Sequence, residues 1–161
     1  MVIYRGFKKG IALIEIVIGL TIISTALVII LSNYKSHLTA AINNTSTVKA
    51  TFLTEETFEA IRFLRDYSWS QNIVSLTENT EYYLYWNGSM WAGTNVPQNI
   101  DGFIRFFKLL PVYRDNFDRI TDSGGTLDVN TKKVEVTLSW SVGSATTTKI
   151  FSTYITNLFN N

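Results

Sequence analysis

Lys8-Lys9-Gly10-Ile11-Ala12-Leu13-Ile14-Glu15 opens the stretch that decides the architecture, and an apolar run from Ile16 to Leu31 completes it. Between Ile11 and Leu31 the only polar side chains are Glu15, Thr21, Ser24 and Thr25. As a helix rising about 1.5 Å per residue, this segment reaches roughly 30 Å, the thickness of a bilayer's hydrocarbon core. Arg5, Lys8 and Lys9 precede it, and the positive-inside tendency places that end in the cytoplasm and the rest of the chain across the membrane. A secretory signal peptide shares the charged start, and Ser24-Thr25-Ala26 supplies small residues at cleavage spacing. Leu27-Val28-Ile29-Ile30-Leu31 then follows where such a peptide turns polar, which argues for retention as a span.

The combination of Lys8-Lys9-Gly10, Ile11-Ala12-Leu13-Ile14-Glu15 and an unbroken apolar helix resembles the type III signal of type IV prepilins and pseudopilins. That resemblance implies a membrane aspartyl protease, the prepilin peptidase, which cuts between Gly10 and Ile11 on the cytoplasmic side and methylates the new Ile11 amine. Residues 1–10 are then a leader, and Glu15 is the fifth residue of the mature chain. A carboxylate at the centre of a membrane helix costs roughly 2.5–3.5 kcal/mol on insertion scales, and less near an end, so Glu15 calls for a partner. The cut creates one in the Ile11 α-amine. In a packed filament Glu15 of one subunit meets the Ile11 amine of its neighbour in a low-dielectric core, which sets axial register. Taken alone, Glu15 has a second reading, in which it snorkels to the interface beside Lys8 and Lys9. Many major pilins carry a proline within this segment. Here the first proline is Pro97, which favours a minor subunit.

Beyond Leu31 neither proline nor glycine appears before Gly88, and Leu38, Ile42, Thr45, Val48 and Phe52 keep a helical spacing. Phe58, Ile61 and Leu64 extend it, so one helix is expected from Ile11 to about Tyr67, with a bend in the polar stretch 41–50. The rest reads as strands. Tyr82 to Trp86 leads into Asn87-Gly88, a hairpin signal, and Met90-Trp91 begins the return. Ile100 to Leu110 is β-prone, Val134, Val136, Leu138 and Trp140 alternate with polar residues, and Thr147 to Ile155 pairs back after Val142-Gly143-Ser144. The expected fold is α+β, a long helix on a small antiparallel sheet. Residues 1–10 form the leader, 11–66 the long helix with 11–31 as its transmembrane or filament-core half, and 67–161 the β-rich head. The late hairpin Lys132 to Trp140 and the closing Phe151 to Ile155 are also similar to the heads of PilV-type minor pilins and their secretion counterparts.

Composition narrows the function classes. Net charge is +1 with scattered basic residues, so no patch points to nucleic acid. There is no cysteine and His37 is the lone histidine, which removes thiol chemistry and histidine-based sites. Asp115, Asp118, Asp122 and Asp128 cluster near Asn116 and Gly124-Gly125, but without the order of a calcium loop, and they read as a solvated turn. Asn43, Asn44 and Asn87 each open an Asn-x-Ser/Thr triplet, a pattern common by chance. The aromatic set around Tyr82 to Trp91 reads as sheet core before ligand surface. No nucleophile motif or phosphate loop appears, so neither an enzyme, a cofactor nor a metal is expected. The expectation is a minor structural subunit of a type IV pilus-like envelope filament, membrane-embedded with its N-terminus inside before assembly and part of the filament afterwards. Its partners would be other pilin subunits, the prepilin peptidase, the inner-membrane assembly platform and lipid. A secretion or DNA-uptake pseudopilin, or a single-pass anchored surface-binding protein, are the alternatives.

Overall fold

The structure, a computed structural model, describes residues 8–122, 124–143 and 145–159, with side chains from residue 12 onward. It divides into two compact units, Met1–Asn44 and Thr45–Asn161. The described part of the first unit is helix alone. This helix, α1, spans Lys8–Tyr67. No proline falls within it to remove an N–H from the i to i−4 ladder. The stretch 41–50, where low propensity predicts a bend, is helical throughout. On either side of it, hydroxyls that compete with helix elsewhere turn back onto α1, as Thr39 Oγ1 donates to the Lys35 carbonyl (3.0 Å) and Thr51 Oγ1 to the Thr47 carbonyl (3.1 Å).

In the second unit, the part of α1 from Thr45 onward packs on an antiparallel sheet. Its buried face is Ala50, Thr54, Thr57, Ile61 and Leu64, alternating four- and three-residue steps, with Phe58 and Ala60 beside them. Two of these are threonines, and their buried hydroxyls are satisfied within the helix by the Ala50 carbonyl (2.9 Å) and the Leu53 carbonyl (2.7 Å). The more hydrophobic positions Val48 and Phe52 stay outside, Phe52 being 71% exposed. The helix ends where Asn72 Nδ2 takes the Leu64 carbonyl at 3.0 Å, and a short π-helical turn, Ser70–Val74, buries Trp69 and Ile73 against the sheet.

The strands are β1 (Tyr83–Trp86), β2 (Trp91–Thr94), β3 (Asn99–Ile100), β4 (Phe103–Arg114), β5 (Ile120–Thr121), β6 (Thr126–Val142) and β7 (Ala145–Thr156). β1 and β2 form a hairpin, and the larger sheet runs β3-β4-β6-β7 with β5 at the end of β4. Alternation places Phe103, Arg105, Phe107 and Leu109 of β4 and Val134, Val136, Leu138 and Trp140 of β6 in the buried layer. Phe107 stands opposite Val136, which stands opposite Phe151 of β7. At one end the Phe103 and Trp140 rings lie 5.4 Å apart. Pairing of β4 with β6 slips between Pro111 and Val112, whose partners are Lys132 and Asp128, so Val129, Asn130 and Thr131 have no partner on β4. Proline cannot donate to the ladder, and the slip falls where it sits.

Candidate functional site

The sequence singles out Gly10, Ile11 and Glu15. Gly10 and Ile11 lie in the first turn of α1, where the backbone alone is described; Arg5 lies outside the described residues. Glu15 is on the same helix, one turn further, and is exposed. About a dozen large apolar side chains between Leu13 and Leu31 are each more than half exposed. The segment is long and apolar enough to cross a membrane, and among the described residues none of its apolar window is buried. Burying such a side chain is worth about 1.5–3 kcal/mol, so the exposed share sums to the order of 10–25 kcal/mol. That matches or exceeds the roughly 5–15 kcal/mol that holds a whole domain folded. Water is therefore not this segment's proper solvent; lipid or another apolar surface must cover it.

Its two threonine hydroxyls are already suited to such a medium. Thr21 Oγ1 donates to the Val17 carbonyl (2.8 Å), and Thr25 Oγ1 to the carbonyls of Thr21 (3.0 Å) and Ile22 (2.9 Å). Glu15 differs: among the described residues no side chain pairs with it. A carboxylate on so apolar a helix is costly to hold in lipid without a partner.

Of the four carboxylates that the sequence clusters in 115–128, Asp115, Asp118 and Asp128 lie against arginines. Asp128 accepts from Arg114 Nε at 2.6 Å and from the Asn130 amide at 2.9 Å. Burial pushes the Asp128 carboxyl up, but the hydrogen bonds from Arg114, Thr131 and Asn130 outweigh it and hold it below the usual range. Asp115 accepts from the Arg119 side chain (2.9 Å) and from the Arg119 and Phe117 amides (3.0 and 2.9 Å), which likewise lower its pKa against a smaller opposing effect of burial. The Asp118 carbonyl accepts from Arg114 Nη1 at 2.8 Å, and Asp122 is exposed. The loop is tied shut by its own cations, and among the described residues no group of three or more His, Cys, Asp or Glu side chains could hold a metal.

Two features of the head carry no signal that sequence reading used. Arg105 occupies a buried-layer position of β4 at 2% exposure, where its Nη1 donates to the Leu53 carbonyl (3.0 Å) and to Glu56 (2.8 Å), both on α1. A cavity of about 600 Å³ lies between the π-helical turn and the ends of β4 and β6, walled by Trp69, Ile73, Leu76 and Leu109, with the Lys132–Glu78 ion pair (2.5 Å) on its lining. Neither assembles a nucleophile, a base and a donor set. The signal for Arg105 was available in the alternation of β4, which places a charge where every second residue is apolar. Comparison with protein-family models, with curated proteins and with solved structures finds no match to this chain.

Proposed function

We propose that the chain is a structural subunit of a type IV pilus-like envelope filament rather than an enzyme, cut after Gly10 and assembled through α1 beside further copies of itself and other subunits. The supporting observation is Glu15, open and without a partner among the described residues, on a helix whose apolar surface exceeds what the rest of the chain covers. Before assembly that helix crosses the inner membrane with its N-terminus inside. After transfer to the filament the same surface meets the helices of other subunits. Cleavage supplies the Ile11 amine as the cation, and pairing it with Glu15 of a neighbour selects one axial register, because any other leaves both charges unpaired in a low dielectric. The second unit is the displayed head.

The test is Glu15→Val. The substitution makes the span more hydrophobic, so membrane insertion and the cut after Gly10 should both persist. It leaves the neighbour's Ile11 amine without a counter-ion, a loss of about 3–5 kcal/mol when the site is buried. The variant should therefore remain in membranes and disappear from sheared filaments when expressed beside its partner subunits. Normal recovery of Glu15→Val in the filament fraction would sink the role of Glu15 and favour the interfacial snorkel.

A further inference from the structure

The head treats its sheet edges in opposite ways. The edge of β4 away from β6 is covered along its length. Tyr82 exchanges two backbone hydrogen bonds with Phe107 (2.8 and 2.9 Å), the Asn79 amide donates to the Leu109 carbonyl (2.9 Å), β3 pairs at one end and β5 at the other. At the far side β7 presents 12 residues, paired with β6 through an unbroken register and, among the described residues, with no strand beyond it. Exposed edges are ordinarily blunted by proline, bulges, several charges or a covering element. β7 has Lys149 as its only charge and no proline, and Ile150 and Tyr154 stand exposed on the outer face. A second edge is also open: among the described residues β2 pairs with β1 alone, and Trp91-Ala92-Gly93-Thr94 contains neither charge nor proline.

These two edges are complementary in direction. Tyr82, the residue before β1, bridges Phe107 of β4 antiparallel on the side that β6 does not occupy, so the separate β1–β2 hairpin and β7 lie on opposite sides of β4 and β6. Each strand from β2 to β7 along that path is antiparallel to the next, which makes β2 and β7 run the same way. We propose that β7 of one copy pairs, in parallel, with β2 of the next copy. The contact joins unlike edges, so every added copy offers a fresh β2 or β7 and the contact propagates, as a head-to-tail assembly requires. Main-chain hydrogen bonds supply the adhesion, and the absence of charge on β2 leaves Lys149 unopposed by a like charge. The alternative, antiparallel pairing of β7 with β7, joins like edges and closes at a dimer. A closed dimer offers no further edge and cannot propagate. The inference thus rests on the filament-subunit reading and names the partner surface within it.

The chain has no cysteine, which gives a clean cross-linking test. Ala92 stands opposite Tyr85 on β1. It shares the outer face with Tyr83, whose ring lies 5.9 Å from Phe106 of β4. Ser152 lies between Ile150 and Tyr154 on the same face. Full-length Ala92→Cys, Ser152→Cys and the double variant are expressed in cells with the partner subunits and treated with a short bis-maleimide. The double variant should give a ladder of dimers, trimers and higher species on a reducing gel, and each single variant should stay monomeric. Ile150→Lys, at a position 61% exposed and so tolerant of charge, should abolish the ladder in the double-cysteine background. Dimers from Ser152→Cys alone, a ladder that survives Ile150→Lys, or no ladder from the double variant would each overturn the pairing. Probing sheared filaments in parallel separates the two claims. Chain in the filament fraction without a ladder removes the edge pairing and leaves the subunit reading, whereas a ladder in membranes with no chain in filaments removes the subunit reading.

Discussion

Removing the exposed partner of Arg105 should cost more than removing Arg105 itself. The guanidinium is 2% exposed and its Nε has no hydrogen-bond partner, while the Glu56 side chain that pairs with Nη1 is 44% exposed. In Glu56→Ala the arginine remains buried, charged and less satisfied. A broken buried pair typically costs about 3–5 kcal/mol, and discounting for the hydrated glutamate end leaves about 2 kcal/mol. Ala is the better helix former, so propensity works against this prediction and makes it conservative. Arg105→Met removes the buried charge and the orphaned Nε together and keeps the apolar stem, and such replacements are often neutral, so a change within about 1 kcal/mol is expected. Urea unfolding of the full chain in detergent, followed by tryptophan fluorescence, reads this directly, because Trp69, Trp86, Trp91 and Trp140 all lie in the second unit. With a slope of about 2 kcal/mol per molar, Glu56→Ala should move the midpoint down by about 1 M. A larger loss in Arg105→Met than in Glu56→Ala would refute the reasoning and show that the arginine contributes net stability.

The two glycines of the 122–126 turn should rank sharply in the same assay. Gly125 has φ +103° and a Cβ there would lie 2.5 Å from the Arg114 carbonyl oxygen, whereas Gly124 has φ +67° with open space around it. Gly125→Ala should cost about 2–3 kcal/mol and Gly124→Ala about 1 kcal/mol, and equal losses would contradict the close approach. Acid should loosen the 115–131 loop. Asp115 and Asp128 have folded pKa values below the ordinary carboxylate, so their stabilisation is present above the unfolded value near 4 and is lost as pH falls through the depressed folded values. Hydrogen exchange in that loop should accelerate below about pH 4, and in Asp128→Asn part of that acceleration should already be present at neutral pH. An unchanged pH profile in the variant would remove Asp128 from the account.

Much of the fold was legible because its signals are periodic. The apolar run before Leu31, the alternation Val134 to Trp140 and the Asn87-Gly88 turn each specify an element through local chemistry, and the corresponding helix, strand and hairpin are present. In that hairpin Asn87 Oδ1 accepts from the Ser89 and Met90 amides, both at 3.0 Å. What was illegible depends on the partner of each residue. The stripe through Val48 and Phe52 is the more hydrophobic one, yet Ala50, Thr54 and Thr57 face the sheet, because small side chains permit close approach and threonine can satisfy its hydroxyl on its own helix. Low propensity in 41–50 did not interrupt the helix, because continuity with strong helix on both sides carries the ladder through it. Ile100 to Leu110 is β-prone but alternates less cleanly, because Asp101-Gly102 is a turn between β3 and β4 and because Arg105 breaks the apolar alternation from within. Of the site residues, Glu15 was legible as a charge in an apolar helix, while the arginine ties of the aspartate loop require cross-strand register that no local pattern carries.

The central claim, that this chain is trimmed to expose an α-amine for Glu15, is tested most directly by mass spectrometry of the mature N-terminus from cells that carry the partner subunits and the peptidase. The account predicts a chain beginning at Ile11 with one added methyl group on its amine, and a Gly10→Val variant that keeps its first ten residues. An intact N-terminus, a cut elsewhere such as after Ala26, or unchanged cleavage in Gly10→Val would contradict it.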